Sequence, residues 1–252
     1  MSQTWRSELE EAGLRLLAIL LPPVCVACDR IEGIAALDLG LCTECRQRLQ
    51  PTPGTVCPCC GRAMGTEPLP DGYLCGSCRR NPPPFERILS GWSYEPPLVE
   101  VIHALKFRRL PFLGGHLGRA LGNRFKQLLE ETDLVVPVPL HWRRHLLRGF
   151  NQAEEIARPI AEELDLPLVR ALRRKTATQP QTGLDRASRA ANLRGAFTAT
   201  RTGRRRISGR QVLLVDDVVT TRNTLGAAAD CLLRSGATSV ICLAGGRTPE
   251  PI

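Results

Sequence analysis

The sequence predicts an α/β protein with a parallel sheet flanked by helices, preceded by a small cysteine-rich domain. Apolar strand-like runs alternate with helical patterns in the second half of the chain, which is typical of βαβ units. Ahead of them, eight cysteines form four C-x-x-C pairs. With 252 residues, 43% of them hydrophobic, the chain is long enough for one large or two ordinary domains.

The N-terminal residues 1–22 are expected to form an amphipathic helix that packs on the body of the protein. The apolar run "GLRLLAILL" follows Glu8, Glu10 and Glu11, where a signal peptide would carry basic residues. No segment approaches the roughly 20 apolar residues of a membrane span. We therefore expect a cytoplasmic protein without a membrane span, with export as the alternative.

The net charge of +9 favours an acidic partner, such as nucleic acid, a phosphate ligand or a membrane surface. Most of the basic residues are arginines, and the base composition of a genome can produce the same excess. Charge alone therefore does not identify the partner.

The four pairs "CVAC", "CTEC", "CPCC" and "CGSC" predict two closed zinc sites in residues 23–84. Two pairs complete one tetrahedral Cys₄ site, and a closed site indicates a structural or docking role. Cross-braced pairing and a disulfide scaffold are the alternatives, although disulfides are disfavoured in a reducing cytosol. Sequential pairing assigns one zinc to Cys25, Cys28, Cys42 and Cys45, and the other to Cys57, Cys60, Cys75 and Cys78.

The proline-rich stretch "RRNPPPFER" marks a boundary, after which residues 85–252 form the second domain. Its strand-like runs are "DLVVPVP", "LPLVRAL", "QVLLVDD" and "TSVICLA". One helix begins at Asn151, with Glu154 reaching back as a capping box. Another runs to Arg234, and Gly236 follows it as a stop. The polar segment 173–195 between these units is expected to be a long loop over a ligand.

The stretch "VLLVDDVVTTRNT" predicts a site for a phosphorylated sugar. Asp216 and Asp217 are expected at the carboxyl end of a buried strand, where open α/β sheets bind ligands. The following helix start and the hydroxyls of Thr220, Thr221 and Thr224 suit a phosphate. The two acids would contact sugar hydroxyls or a Mg²⁺ ion. A threonine-capped helix with two solvated aspartates is the alternative.

This stretch closely resembles the PRPP-binding motif of type I phosphoribosyltransferases. The resemblance implies that Asp216 and Asp217 meet the ribose hydroxyls and are the catalytic acids of any transfer reaction. It also implies a phosphate turn, which comprises Thr220, Thr221, Arg222, Asn223 and Thr224.

Further blocks, including "LLPPVCVACDR", "VIHALKFRR", "VVPVPLHWRRHLLRGFNQA" and "TQPQTGLDRASRAANLRGAF", resemble the ComF family of competence proteins. The resemblance implies a double zinc ribbon before a type I phosphoribosyltransferase-like domain, and a role with incoming single-stranded DNA. It places Arg143, Arg144 and Arg148 on the pyrophosphate side, and Gln181, Arg189 and Asn192 in a loop that covers the site.

Arg222 departs from the family pattern, because the phosphate turn usually has glycine at this position. We expect its side chain either to point outward to a larger anion, such as a DNA phosphate, or to crowd the turn. Both possibilities predict that Arg222→Gly strengthens the binding of Mg²⁺ and PRPP.

Two functions from different classes follow from these patterns. The favoured one is a competence protein that binds single-stranded DNA and has a pocket for PRPP or another ribose phosphate, with competence-machinery proteins as further partners. The alternative is a Mg²⁺-dependent phosphoribosyltransferase with an unknown acceptor, and complete loss of ligand binding is a third option. For DNA we expect the basic stretches 143–148 and 201–206. The candidate stacking residues are Trp92, Tyr94, Phe107, Trp142 and Phe150.

Overall fold

A computed structural model describes residues 24–32, 37–51, 54–175 and 195–249. The expected N-terminal helix over residues 1–22 lies outside the described residues. So do Gln181, Arg189 and Asn192 and most of the long polar loop.

Six strands form two sheets within the ranges just given. Their ranges are β1 Arg87–Ser93, β2 Leu134–Pro137, β3 Leu172–Arg174, β4 Phe197–Ala199, β5 Gln211–Val219 and β6 Ser239–Arg247. The main sheet has the order β1-β6-β5-β2 and every neighbouring pair is parallel, as the alternating pattern predicts. β3 and β4 form a separate antiparallel pair.

Eight α-helices accompany these strands in the described part of the chain. They are α1 Thr43–Gln47, α2 Gly76–Arg80, α3 Leu98–Phe107, α4 Phe112–Phe125, α5 Trp142–Arg148, α6 Gln152–Glu163, α7 Arg201–Ile207 and α8 Asn223–Leu233, with a 3₁₀ turn at Lys126–Leu129. Among the described residues, none of these helices has the length and apolarity that crossing a membrane would require.

Two apolar cores lie on the two faces of the main sheet. One packs α3, α4 and α6 against strand residues such as Leu213, and the other packs α7 and α8 against residues such as Leu214. Successive strand side chains alternate between the faces, so one apolar run supplies both cores. The contact between α4 and α6 is very close, because a Cβ at Gly118 would lie 2.3 Å from the carbonyl oxygen of Ile156.

The strand ends differ from the sequence-based expectation in two places. β5 continues past both aspartates to Val219, because Asp216 and Val218 remain paired with β6. The run "LPLVRAL" is not one strand of the main sheet. Leu168 forms an isolated bridge with Val135, and the chain then turns away into β3.

The helix at 151 begins where the sequence predicts, but the expected capping box does not form. Asn151 is the N-cap residue of α6 without a side-chain cap, and its amide Nδ2 donates to the carbonyl oxygen of Val138 at 3.0 Å. The Glu154 carboxylate instead accepts from Arg158 and Arg170. Two cationic guanidinium groups compete with one neutral backbone amide for this carboxylate, which accounts for the difference.

Candidate functional site

The eight paired cysteines form two tetrads with the sequential pairing. The sulfur atoms of each tetrad lie within 4.8 Å of one another, so the cross-braced alternative is wrong. The Cys28–Cys42 and Cys60–Cys75 sulfur distances are 3.8 and 3.7 Å. A tetrahedron with Zn–S bonds of about 2.3 Å has edges of about 3.8 Å, so both donor sets fit zinc. The two groups are Cys25, Cys28, Cys42 and Cys45, and Cys57, Cys60, Cys75 and Cys78.

The two acids of the candidate ribose site have different neighbours. Asp217 forms an ion pair with Lys106 at the end of α3, with 2.6 Å between the Lys106 Nζ and Asp217 Oδ2 atoms. Both side chains are largely buried. Consecutive strand residues point to opposite faces, so Asp216 does not share this ion pair, although both charges remain close enough to act on its pKa. Asp217 therefore already has a cationic partner before any ligand arrives.

The side chain of Asp216 is half-buried and lies beside a second carboxylate. Burial raises the pKa of Asp216 to about 8, and the charge of Asp217 acts in the same direction. Lys106 and Arg174 oppose this increase. Binding of a cation at Asp216 would therefore release a proton near neutral pH.

The phosphate turn connects β5 to α8. Thr220 and Thr221 are exposed, while Asn223 and Thr224 are half-buried in the first turn of α8. Amides at a helix start have no partner inside the helix, which makes this end suitable for an anion. Arg222 is the N-cap residue with φ −66° and ψ −4°, a conformation open to any residue.

The side chain of Arg222 takes neither of the two expected orientations. Its Nη1 atom donates to Cys78 Sγ at 3.2 Å, and its Nη2 atom donates to the carbonyl oxygen of Ser77 at 3.3 Å. The guanidinium therefore contacts the second cysteine tetrad, and it neither crowds the turn nor extends toward solvent.

The three predicted arginines of α5 have different environments. Arg148 is half-buried, stacks over Phe107 at 5.3 Å, and lies close enough to Asp217 for that carboxylate to oppose the lowering of its pKa by burial. Arg143 and Arg144 are exposed. Of the three, Arg148 is the one that the fold brings to the acid pair.

A cleft of about 460 Å³ lies beside α5, at the carboxyl end of β2. Trp142 and His145 line one side, and Arg170, Arg173 and Arg174 line another. Arg170 is paired with Glu154. This cleft and the exposed face of α5 form one basic region with an aromatic side chain.

Comparison with known proteins agrees with this architecture. Residues 16–84 match the double zinc ribbon domain, and residues 148–245 match the phosphoribosyl transferase domain. DNA utilization protein YhgH of Escherichia coli is 36% identical over 228 residues, which cover 88% of this chain and 96% of the relative. Competence protein F of Haemophilus influenzae is 30% identical over 204 residues, covering 78% and 86%. The chain belongs to the ComF family. Competence protein ComFC of Bacillus subtilis is 26% identical and covers 84% and 90%.

Sequence reasoning missed two basic residues of the site in this ComF-family chain. Lys106 lies inside the family block "VIHALKFRR", so the block contained the signal but gave it no role. Arg174 lies just after the second predicted strand run, "LPLVRAL", and near Asp216. The expected stacking residues differ in their exposure to solvent. Trp92 is buried in a core, whereas Phe107 and Trp142 are exposed.

Proposed function

We propose that this ComF-family chain binds single-stranded DNA during DNA uptake in natural transformation, with a pocket for a ribose phosphate beside the DNA. The observation that carries the proposal is the surface of α5, where Arg143 stacks on the exposed Trp142 next to the arginine-lined cleft. The names of the relatives, competence protein and DNA utilization protein, support the process.

The chemistry of α5 suits an unstacked strand. Trp142, Leu146 and Leu147 are 57%, 74% and 71% exposed, which is unusual for large apolar side chains on one short helix. An indole accepts a stacked base, and adjacent guanidinium groups pair with the phosphates. The two leucines also suit a protein of the competence machinery as a further partner.

The charges around the two acids support a ribose phosphate pocket. Lys106 and Arg148 lie close to Asp217, and the phosphate turn begins after two further residues, at the end of β5. In this proposal the carboxylates of Asp216 and Asp217 bind the ribose hydroxyls, directly or through Mg²⁺, and the turn holds the 5′-phosphate. PRPP is the ligand that this arrangement fits best.

The DNA proposal is tested by titrating a fluorescent single strand at several salt concentrations. Replacing Arg143, Arg144 and Arg148 together by alanine should weaken binding and reduce the slope of log K against log salt by about 2, because each phosphate contact contributes about 0.7. Trp142→Ala should weaken binding without changing this slope, because stacking releases no counterions.

A matched control removes the same charge from another surface. Arg119, Arg124 and Lys126 are exposed on α4 and the turn after it. Their triple replacement by alanine should leave affinity and salt slope close to those of the parent. Equal losses in both triple variants would mean that DNA responds to net charge and not to α5, and would overturn the assignment.

The acid pair and the turn also favour a second function, a Mg²⁺-dependent phosphoribosyltransferase with an unknown acceptor. Calorimetry with PRPP, with and without Mg²⁺, separates the two. Heat that disappears in Asp217→Asn supports the pocket, and pyrophosphate release with a base would assign an enzyme. No heat from PRPP or from ribose 5-phosphate would remove the pocket from the proposal.

A further inference from the structure

The second zinc ribbon contacts the phosphate turn through one side chain. Arg222, the last residue before α8, donates two hydrogen bonds to the Ser77–Cys78 segment, which lies 144 positions earlier in the chain. One bond reaches a cysteine sulfur of the tetrad and the other reaches a backbone oxygen. A single guanidinium therefore joins a metal ligand to the turn.

Other contacts hold the same ribbon to the sheet. The guanidinium of Arg247, at the end of β6, donates to the carbonyl oxygen of Cys60, and the amide of Ile88 in β1 donates to that of Cys59 at 2.8 Å. A Cβ at Gly61 would lie 2.9 Å from the carbonyl oxygen of Ile88, so the approach is close. These contacts fix the ribbon, which lets Arg222 transmit its position to the turn.

Electrostatics explains why an arginine is useful at this contact. A zinc ion with four thiolates carries excess negative charge, and a guanidinium N–H that donates to a ligand sulfur stabilises that charge. Groups that hydrogen-bond to metal ligands also orient them, and their loss typically lowers metal affinity by about 10- to 100-fold. The same interaction restrains the backbone of Arg222.

We propose that Arg222 is a positioning residue through which zinc in the second tetrad orders the phosphate turn. Arg222 favours zinc retention by Cys57, Cys60, Cys75 and Cys78. Bound zinc, through Arg222, keeps the phosphate turn in the conformation that binds its ligand. The value of this order for ligand binding rests on the proposed function, whereas the contact itself does not. By thermodynamic reciprocity, a phosphate ligand at the turn should raise the affinity of this tetrad for zinc.

The first arm of the test measures zinc release to a chromogenic chelator without any phosphate ligand. Arg222→Gly should accelerate release from the second tetrad by about tenfold, and Arg222→Lys should lie between this variant and the parent. Arg234→Gly is the matched control, because Arg234 lies at the other end of α8 and is paired with Asp230. Release at the parental rate in Arg222→Gly would overturn the proposal.

The second arm measures hydrogen exchange of the amides in residues 220–224. Exchange should be faster in Arg222→Gly, and also in the parent after zinc has been removed from the second tetrad, but not in Arg234→Gly. Unchanged exchange in Arg222→Gly would overturn the coupling. Neither arm uses PRPP. Failure of PRPP to bind would therefore count against the proposed function only, and the role of Arg222 would still be decided by zinc release and hydrogen exchange.

Discussion

The two cysteine tetrads have the same ligands but are attached to the protein differently. The first ribbon joins the apolar core of the α3, α4 and α6 face through Leu39 and Leu41, and a Cβ at Gly40 would lie 2.5 Å from the side chain of Leu113. The second tetrad forms a small cluster of its own. Arg222 and Arg247 attach it through polar contacts. The first ribbon is therefore attached to the domain by apolar packing. The second is attached by polar contacts, one of which joins it to the phosphate turn.

The largest expected effect is on zinc itself. We expect about two zinc ions per chain, and the first tetrad should lose its metal sooner, because Cys28 is exposed whereas all four ligands of the second tetrad are buried. Chelation with trapping by an alkylating reagent, followed by peptide mass spectrometry, identifies which cysteines react first. Chelation should also unfold the ribbons, since structural zinc supplies their folding free energy.

Two results would break this part of the comparison. A single zinc per chain, or intact disulfides in place of metal, would remove the second site. Simultaneous alkylation of both tetrads would show that the difference in exposure does not control release.

The next effect separates apolar from polar attachment. Leu41 is fully buried, so Leu41→Ala should lower the free energy of unfolding by about 3 kcal/mol through the cavity that it leaves. Leu74, half-buried beside the second tetrad, should cost about 1 kcal/mol when replaced by alanine. Urea unfolding of both variants provides the comparison, with zinc content measured to confirm that each tetrad is still loaded. Equal losses would mean that both ribbons depend on apolar burial alike.

The sequence predicts a feature well when the residues that form it lie close together along the chain. Local spacing was enough for the two tetrads, for the β5 and β6 strands and for the helix stop at Gly236, whose φ of 107° suits glycine. The Lys106–Asp217 pair and the Arg222–Cys78 contact join residues that are far apart in sequence. No local pattern encodes such pairs, because they depend on how whole elements pack.

The failed capping box shows a second reason for wrong predictions. Asn151 and Glu154 have the right spacing, and the helix begins where expected, but each side chain finds another partner in the folded protein. Local rules identify what a side chain is able to do, whereas tertiary contacts decide which of these interactions forms.

A smaller effect concerns the pH dependence of stability that arises from Asp216 in β5. The pKa of Asp216 is raised to about 8 from an ordinary value of 3.8, so the folded protein binds this proton more tightly than the unfolded chain. Stability is therefore fully present at low pH and falls as pH rises between these values. Asp216→Asn should raise the free energy of unfolding at pH 8 by about 1 to 2 kcal/mol and have less effect at pH 5.

The control for this pH effect is Asp165→Asn, an exposed position with positive φ that asparagine tolerates. The difference between its unfolding free energy and that of the parent should be nearly the same at the two pH values. Leu41→Ala should lose the same stability at pH 5 and pH 8, because apolar packing does not titrate. If the effect of Asp216→Asn on the unfolding free energy is also the same at both pH values, the titration of Asp216 does not affect stability.

The smallest expected effect is on PRPP affinity, and here the structure reverses the expectation from the sequence. A glycine at position 222 would strengthen binding if the arginine crowded the turn, but the guanidinium is directed to Ser77 and Cys78. Loss of the guanidinium removes a restraint from the turn, so PRPP binding should cost more conformational entropy. We expect Arg222→Gly to weaken Mg²⁺-PRPP binding by about threefold, less than 1 kcal/mol, while Arg234→Gly binds like the parent. Calorimetry with the zinc-loaded proteins measures this difference. Stronger binding by Arg222→Gly would instead support crowding, and would mean that the contact with the second ribbon does not prepare the turn for phosphate.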